Sequence, residues 1–184
     1  MALLGYRVDA LRGLLRARWL GCWRLSVGAG AQIHPSARLR HGGGSSIGAR
    51  TRLYRDVQIL ATKGGSFQIG RDAHLAPGAY LLVGGQRLMI GDETAIGPGL
   101  MLFCESNATE GDGPFRQRYE RADVRIGRNV FVGARVTVLP GAQIEDDVVV
   151  AAHSVVRGRL AAGWIYGGCP ARALRRIDSP GSTA

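Results

Sequence analysis

The sequence of 184 residues has few cysteines, few aromatic residues and no long hydrophobic run. Its three cysteines, Cys22, Cys104 and Cys169, are too few and too scattered for a disulfide framework or a cysteine metal site. A reducing, cytoplasmic compartment is therefore expected. No apolar stretch approaches the length of a membrane-spanning helix, and none resembles the apolar core of a signal peptide. The aromatic content of 7% suits an interior that is filled by aliphatic side chains.

Acidic residues are also scarce, with 14 Asp and Glu against 24 Lys and Arg, which gives a formal net charge of +10. Such an excess predicts an anionic partner: a phosphorylated cofactor, a lipid surface or nucleic acid. Nucleic acid is disfavoured because no matching fold motif and no interleaving of aromatic and basic residues is present. The four histidines include no pair close enough in the sequence for a zinc site built from histidines, so no metal is expected.

Glycine is abundant instead, at 28 residues, and an aliphatic residue recurs every six positions in the second half of the chain. A period of six fits neither an α-helix nor a plain strand, but it fits a chain that runs straight, turns a corner and repeats. Glycine serves such corners because it tolerates left-handed backbone conformations. The strongest run comprises Ile126, Val132, Val138, Ile144, Val150 and Val156.

The same period occurs earlier in groups of three, separated by short glycine-rich inserts. Three hexapeptides per group predict a triangular coil of 18 residues, with one aliphatic side chain pointing inward from each side. The sequence therefore predicts an all-β protein, a parallel β-helix of about five coils between Ile33 and Val156. The earlier positions are Ile33 and Leu39; Ile47, Leu53 and Ile59; Ile69, Leu75 and Leu81; and Ile90, Ile96 and Leu102.

Three regions are predicted along the chain. Residues 1–28 read as a basic amphipathic helix, which either caps the open end of the coil or lies on anionic lipid, or does both. Residues 29–160 form the β-helix, and the period lapses at 103–125, which predicts an extruded loop of functional importance. Residues 161–184 form a tail with a short basic helix and a frayed end.

Together these features resemble the hexapeptide-repeat acyltransferases, particularly the maltose, galactoside and nodulation-type O-acetyltransferases and their relatives in polysaccharide assembly. The resemblance is carried by IGDETAIGPG from Ile90, the loop after Phe103, and the hexapeptides from Ile126 to Val156. The turn GGCPAR from Gly167 completes it. It implies a left-handed β-helix, a homotrimer, and acetyl-CoA bound between neighbouring coils. It further implies acyl transfer from CoA to a hydroxyl of a sugar or of a polysaccharide or lipopolysaccharide intermediate.

One departure from the family concerns the base that such a transfer requires. The family's histidine at the root of the loop corresponds to Asn107, which cannot titrate. Another residue could act as the base: Glu105, Glu110 or Asp112 from the loop, or His74 or His153 from a turn of the coil. Alternatively, the chain is a non-catalytic homologue that binds CoA, or a scaffold or partner subunit in a mixed trimer. Cys104 is a weak candidate nucleophile.

The resemblance also suggests positions for the two substrates. Small residues at two successive corners would border the pantetheine arm, namely Gly133, Ala134, Ala151 and Ala152. Three arginines would meet the CoA phosphates, namely Arg157, Arg172 and Arg175. On the loop, Arg116, Arg118 and Tyr119 could bind an anionic saccharide, although a solvated charged arm explains them equally well. The expected enzyme is cytoplasmic, with peripheral membrane contact through the N-terminal helix.

Overall fold

The computed structural model describes residues 13–15, 25–41 and 43–177, and within these ranges the fold is a parallel β-solenoid. Three sheets run along its length: sheet A with seven strands, sheet B with eight and sheet C with six. Each turn of the chain contributes one strand to A, one to B and one to C, and each strand pairs in parallel with the equivalent strand of the next turn. This is the parallel β-helix that the hexapeptide period predicts, and it is consistent with the left-handed β-helix that the family resemblance implies.

The strands are short, because a side of the prism is only a few residues long. Sheet A contains β1 (Ser26–Val27), β4 (Ser46–Ile47), β7 (Ser66–Ile69), β10 (Arg87–Ile90), β15 (Val124–Ile126), β18 (Gln143–Ile144) and β21 (Arg159–Leu160). Sheet B contains β2 (Gln32–Ile33), β5 (Arg52–Leu53), β8 (His74–Leu75), β11 (Ala95–Ile96), β16 (Phe131–Val132), β19 (Val149–Val150), β22 (Trp164–Gly167) and β23 (Arg172–Arg176). Sheet C contains β3 (Arg38–Arg40), β6 (Gln58–Ala61), β9 (Tyr80–Gly84), β12 (Met101–Phe103), β17 (Thr137–Val138) and β20 (Val155–Val156).

The interior of the prism is formed by the aliphatic residues of the hexapeptide period. Ile96, Val132, Val138 and Val150 have no exposed surface, and the equivalent residues of the earlier turns are also buried, except Leu39, which is partly buried. Burial of a Val, Leu or Ile side chain contributes about 1.5–3 kcal/mol relative to exposure. One such residue from each side of every turn therefore supplies a continuous core along the solenoid axis.

Each turn has three corners, which we call A–B, B–C and C–A after the sheets that they join. The A–B and B–C corners are tight. The third residue after the strand often has a positive φ, as at Arg135 (53°) and His153 (60°). The C–A corners hold the inserts, such as Thr62–Gly65, and the extruded loop leaves at the C–A corner of the fourth turn. The sequence prediction that the inserts stack near one edge is confirmed.

The extruded loop, which we call the arm, spans residues 104–123 and has secondary structure of its own. Strands β13 (Glu105–Asn107) and β14 (Tyr119–Arg121) pair antiparallel, and a 3-10 helix, η1 (Phe115–Gln117), lies near its tip. The arm is thus shorter than the predicted 103–125, because Phe103 ends β12 and Val124 begins β15.

Two details of the predicted fold are wrong. The solenoid has six complete turns and part of a seventh, because β1 adds the side ahead of Ile33 in the first turn, and β21 and β22 add two sides after Val156. The predicted short C-terminal helix is a strand, β23, which runs antiparallel to β22. The last turn of a solenoid presents unpaired backbone N–H and C=O groups, and a strand can satisfy them where a helix cannot.

Most of the predicted N-terminal helix lies outside the described residues. Residues 13–15 are helical, and a methyl group at Gly13 would lie 3.4 Å from the backbone N and O of Ile33. This segment therefore packs closely on the first strand of sheet B. None of the helical structure in 13–15, 25–41 and 43–177 is long and apolar enough to cross a bilayer.

Candidate active site

The B–C corner carries a row of small residues that begins at the third turn. In successive turns, the residue after the sheet B strand is Ala76, Gly97, Gly133 and Ala151, and the equivalent residue of the last turn is Gly167, which ends β22. The pairing of β16 with β19 places Gly133 and Ala134 directly beside Ala151 and Ala152. The structure therefore brings together the four small residues that the sequence assigns to the pantetheine arm.

Glycine at position 133 is explained by the packing of one turn on the next. A Cβ there would lie 2.5 Å from the backbone N of Ala152 and 2.8 Å from its Cα, which is closer than real contacts allow. Gly97 has the same relation to the backbone of Gly133 and Ala134. The glycines set the close spacing of the turns, while Ala134 and Ala152 form the outer surface of the corner.

A comparison with the A–B corner shows what distinguishes the B–C corner. At the A–B corner, the backbone N–H of Arg128 donates to Asp146 Oδ1 (2.8 Å), and that of Arg71 donates to Asp92 Oδ1 (2.9 Å). In both cases, the acceptor occupies the same corner position one turn later. At the B–C corner, this relation joins Ala134 to Ala152, and alanine has no acceptor to offer.

The consequence is a pair of available hydrogen-bond donors at the B–C corner. The N–H groups of Ala134 and Ala152 make no hydrogen bond with any residue of the described ranges. An outward N–H that lacks a partner in the protein is a site for a ligand carbonyl or for water. At the A–B corners of Arg71 and Arg128, aspartates cap these N–H groups, and ion pairs such as Arg71–Asp92 (3.0 Å) cover the surface.

The three arginines assigned to the CoA phosphates are not equivalent in the structure. Arg172 pairs with Gly167 in the strand register, so it lies beside the last member of the row of small residues. Arg175 pairs with Ile165 and lies further along sheet B. Arg157 follows β20 and lies at the C–A corner, on the far side of sheet C. Only Arg172 is placed beside the row of small residues.

His74 lies on the outer face of β8, two residues before Ala76 of the same corner. Its ring meets the ring of Tyr54 edge-on, with the centroids 6.2 Å apart. Partial burial and, secondarily, the nearby Arg52 lower the pKa of His74. A lowered pKa keeps the imidazole neutral near pH 7, which is the form that accepts a proton.

Asn107 lies at the end of β13, where its amide connects the two halves of the arm. Its Nδ2 donates to the backbone O of Phe115 (2.8 Å) and lies 3.3 Å from that of Arg118. Both amide protons are therefore used within the arm. Asn107 stabilises the arm in this structure, and its nitrogen is not available to hold a substrate hydroxyl.

Arg118 and Glu105 also take part in the structure of the arm. The Arg118 guanidinium donates to the backbone O of Thr109 and of Gly111 and packs over the Phe115 ring, 4.4 Å from its centroid. Glu105 pairs with Arg121 across the β13–β14 ladder at 3.4 Å. Its carboxylate lies so close to Gly84 that a Cβ there would approach Oε2 to 2.7 Å.

Arg116 and Tyr119 are exposed on the arm, and Arg121 packs over the Tyr119 ring at 4.7 Å. Within one chain, the arm and the row of small residues lie at different corners, with sheet C between them. The structure therefore separates the predicted acceptor residues from the predicted donor residues. Sequence reasoning missed Gly97 and Gly167, although their phase in the repeat, directly after an inward residue, identifies them.

Cys104 is excluded as a nucleophile by its environment. It is fully buried at the root of the arm, and desolvation raises the pKa of its thiol to about 12. The thiolate, which is the reactive form of the side chain, is therefore scarce near neutral pH. Cys169 is exposed.

We expect a thiol reagent at pH 8 to label Cys169 in the native protein and to leave Cys104 unmodified. Peptide mass mapping after a timed reaction measures the two sites separately. Labelling in denaturant is the control, because unfolding should make both thiols reactive. Equal labelling rates for Cys104 and Cys169 in the native state would contradict this placement.

No three His, Cys, Asp or Glu side chains of residues 13–15, 25–41 and 43–177 come together in a metal-binding arrangement.

Comparison with known proteins agrees with this geometry. Residues 123–158 match the family described as bacterial transferase hexapeptide (six repeats). The chain is a left-handed β-helix protein built from hexapeptide repeats of the kind found in bacterial transferases, and the resemblance noted in the sequence is confirmed.

Two Escherichia coli K12 proteins are among its sequence relatives. One is named "Putative lipopolysaccharide biosynthesis O-acetyl transferase WbbJ"; it is 41% identical over 65 residues, which are 35% of this chain and 33% of that protein. The other is galactoside O-acetyltransferase, 26% identical over 117 residues, which are 61% of this chain and 58% of that protein. The chain thus spans between a third and three fifths of the length of these curated relatives.

Among solved structures, AntD, an N-acyltransferase from Bacillus cereus crystallised with dTDP and 3-hydroxybutyryl-CoA, superimposes with a TM-score of 0.75. It is 23% identical, and the match covers 88% of this chain and 88% of AntD. At this level of identity, the likeness concerns the fold.

Proposed function

We propose that the protein is an acyl-CoA-dependent acyltransferase, most simply an O-acetyltransferase, that acts on a sugar or on a polysaccharide or lipopolysaccharide intermediate. The observation that carries the proposal is the B–C corner of the fifth and sixth turns. There, the two backbone N–H groups of Ala134 and Ala152 are available, and the side chains of these two residues are only methyl groups. A pantetheine arm has amide carbonyls that can accept from such donors.

Arg172 at the end of this corner would meet a phosphate of CoA, in keeping with the net charge of +10. Arg175, further along sheet B, would meet a second phosphate only if the nucleotide crosses the end of the solenoid. Arg157, on the other side of sheet C, could reach a cofactor only from a neighbouring copy.

For the acceptor hydroxyl, we propose His74 as the general base. It is the titratable group with a lowered pKa on the edge that carries the donor site, and its neutral ring can take the proton as the hydroxyl attacks the thioester. Glu105 is less suited, since its carboxylate is paired with Arg121. No metal is part of the proposed reaction.

The separation of arm and corner within one chain supports a homotrimer in which the arm of one copy reaches the corner of the next. Arg116 and Tyr119, which are exposed, would then contact the saccharide. The proposed setting is the cytoplasm, with contact to the membrane through the N-terminal segment. AntD was crystallised with dTDP, which makes a nucleotide-linked sugar one acceptor to include in a test.

A second candidate is a CoA-binding homologue without catalysis, alone or as a partner subunit. It is favoured by Asn107, which stands where the family has its histidine and whose amide nitrogen is engaged within the arm. In this second candidate, the B–C corner still binds CoA, but no acyl transfer takes place.

Release of free CoA thiol from acetyl-CoA, followed across a panel of sugars and sugar nucleotides, separates the two candidates. The enzyme proposal expects acceptor-dependent release that falls by roughly 10²–10⁴-fold in His74→Gln, since general base catalysis contributes this much. Thermal stabilisation by CoA should persist in that variant.

A thermal shift with CoA but no turnover on any acceptor would support the non-catalytic candidate. In that case, a gain of activity in Asn107→His over a silent parent would identify a decayed enzyme. Turnover that is unchanged in His74→Gln would overturn the assignment of the base.

A further inference from the structure

The outer face of sheet A carries a groove. This face is a different side of the prism from the B–C corner that carries the small residues. Its volume is about 420 Å³, and it continues into a second cavity of about 390 Å³ that shares Arg125 and Asp146 with it. The groove therefore runs along the solenoid axis over several turns.

One outward side chain from each turn forms the wall of this groove. The strand register aligns Ser46 with Gln68, Gln68 with Met89, Met89 with Arg125, and Arg125 with Gln143. Neighbouring strands lie about 4.8 Å apart, so the groups repeat at about that spacing. Hydroxyl, amide, thioether and guanidinium groups thus follow one another in a straight line.

The floor of the groove is formed by backbone, because the residues beside this row are glycines. Gly70, Gly91 and Gly127 begin the A–B corners, where a side chain is sterically forbidden: a Cβ at Gly91 would lie 2.5 Å from the backbone C of Gly127. The closely stacked backbone of successive turns therefore forms a shelf between the outward row and the corner. A flat, extended ligand can lie on such a shelf.

The charges at the corner side of the shelf are already engaged. Asp92 pairs with Arg71, Arg128 pairs with Glu93 (3.4 Å) and Asp147 (3.6 Å), and Asp146 accepts from the Arg128 N–H. By contrast, the Arg125 guanidinium makes no ion pair or hydrogen bond with any described residue. Arg125 is exposed in the middle of the groove and is shared by both cavities.

We propose that this groove binds an extended acidic glycan, with a carboxylate of the glycan on Arg125. The Gln68 and Gln143 amides on either side would exchange hydrogen bonds with sugar hydroxyls, because an amide both donates and accepts. The exposed thioether of Met89, next to Arg125, provides an apolar contact for a ring face. This site goes beyond the proposed acyl transfer and does not depend on it.

Two other occupants fit the groove less well. A nucleic acid would require densely placed cations and aromatic platforms, whereas the lining residues balance two arginines with two aspartates and include no aromatic ring. A second copy of the chain would favour an apolar surface. The outer face of sheet B offers one with Phe131, which is 51% exposed.

The test is titration calorimetry of the full chain with a hexamer of galacturonic acid, with maltohexaose as the neutral probe. We expect the acidic hexamer to bind and the neutral one to bind at least about tenfold more weakly, since a charge-assisted hydrogen bond is lost. Arg125→Gln should weaken binding of the acidic hexamer by about tenfold or more. Arg55→Gln, which removes an exposed charge at a B–C corner, is the matched control and should leave the affinity unchanged.

Five outcomes would overturn the proposal: no binding of the acidic hexamer, equal losses in the two variants, equal binding of both probes, tighter binding of single-stranded DNA, or a change of the oligomeric mass in Arg125→Gln. Equal losses would mean that the net charge of the chain attracts the glycan. A change of the oligomeric mass in Arg125→Gln would assign the groove to contacts between copies. None of these results bears on the proposed CoA site at the B–C corner, which is tested separately with CoA.

Discussion

Replacing Gly133 by Ala should lower the free energy of unfolding by about 3 kcal/mol, at the upper end of the usual cost of overpacking. The added methyl group would lie 2.5 Å from the backbone N of Ala152, and backbone cannot move aside as a flexible side chain can. The two turns must separate locally, which stretches the hydrogen bond from the Gly133 N–H to the Val150 O (2.8 Å). For a chain of this size, we expect a drop in Tm of roughly 10 °C.

Gly85→Ala is the matched control for this substitution. A Cβ at Gly85 would have its closest neighbours at 3.9 Å, which is ordinary van der Waals contact. Thermal unfolding followed by circular dichroism should therefore give a Tm for Gly85→Ala within about 2 °C of the parent, the effect of a surface substitution of about 0.5 kcal/mol. Similar Tm values for Gly133→Ala and the parent would mean that the turns are not stacked as closely as described.

Ala152→Asp should abolish CoA binding while the fold remains intact. At the A–B corner, Asp146 caps the Arg128 N–H from this same position, so an aspartate at 152 should cap the Ala134 N–H in the same way. The substitution removes a donor from the ligand and adds a negative charge beside an anionic cofactor. We expect the dissociation constant to rise at least about 100-fold, a loss of about 2.7 kcal/mol.

The Tm of Ala152→Asp should stay level or increase, because a capped N–H gains a hydrogen bond of about 1 kcal/mol. Ala29→Asp, at an exposed A–B corner of the first turn, is the control for the added charge and should bind CoA like the parent. Calorimetric titration of CoA measures all three proteins. Unchanged affinity in Ala152→Asp would place the cofactor elsewhere.

The hexapeptide spacing was sufficient to predict the solenoid, because the rule is local: every sixth residue must fill the interior. Ile126, Val132 and Val138 are buried as predicted, and so are the matching positions of earlier turns apart from the partly buried Leu39. The C-terminal strand could not be predicted in this way. The residues of β23 read as a basic helix by themselves, and they become a strand because the last turn of sheet B offers unpaired backbone groups.

The candidate site was only partly predictable. The small residues at 133, 134, 151 and 152 could be assigned from the resemblance to the family, and the structure brings them together. The roles of Asn107 and Arg118 could not, since they depend on contacts within the arm that follow no repeat. The position of each segment in the hexapeptide repeat already implied that the arm and the small residues occupy different corners. The arm follows Leu102 of sheet C, whereas Gly133 follows Val132 of sheet B.

The most direct test of the donor site is hydrogen–deuterium exchange of the parent protein with and without CoA. If the N–H groups of Ala134 and Ala152 bind the pantetheine arm, peptides that contain these two corners should exchange more slowly when CoA is bound. Peptides from the A–B corners at Asp92 and Asp146 should exchange at the same rate in both states. Protection at the A–B corners, or no protection at residues 134 and 152 at saturating CoA, would contradict the assignment of this edge as the acyl-donor site.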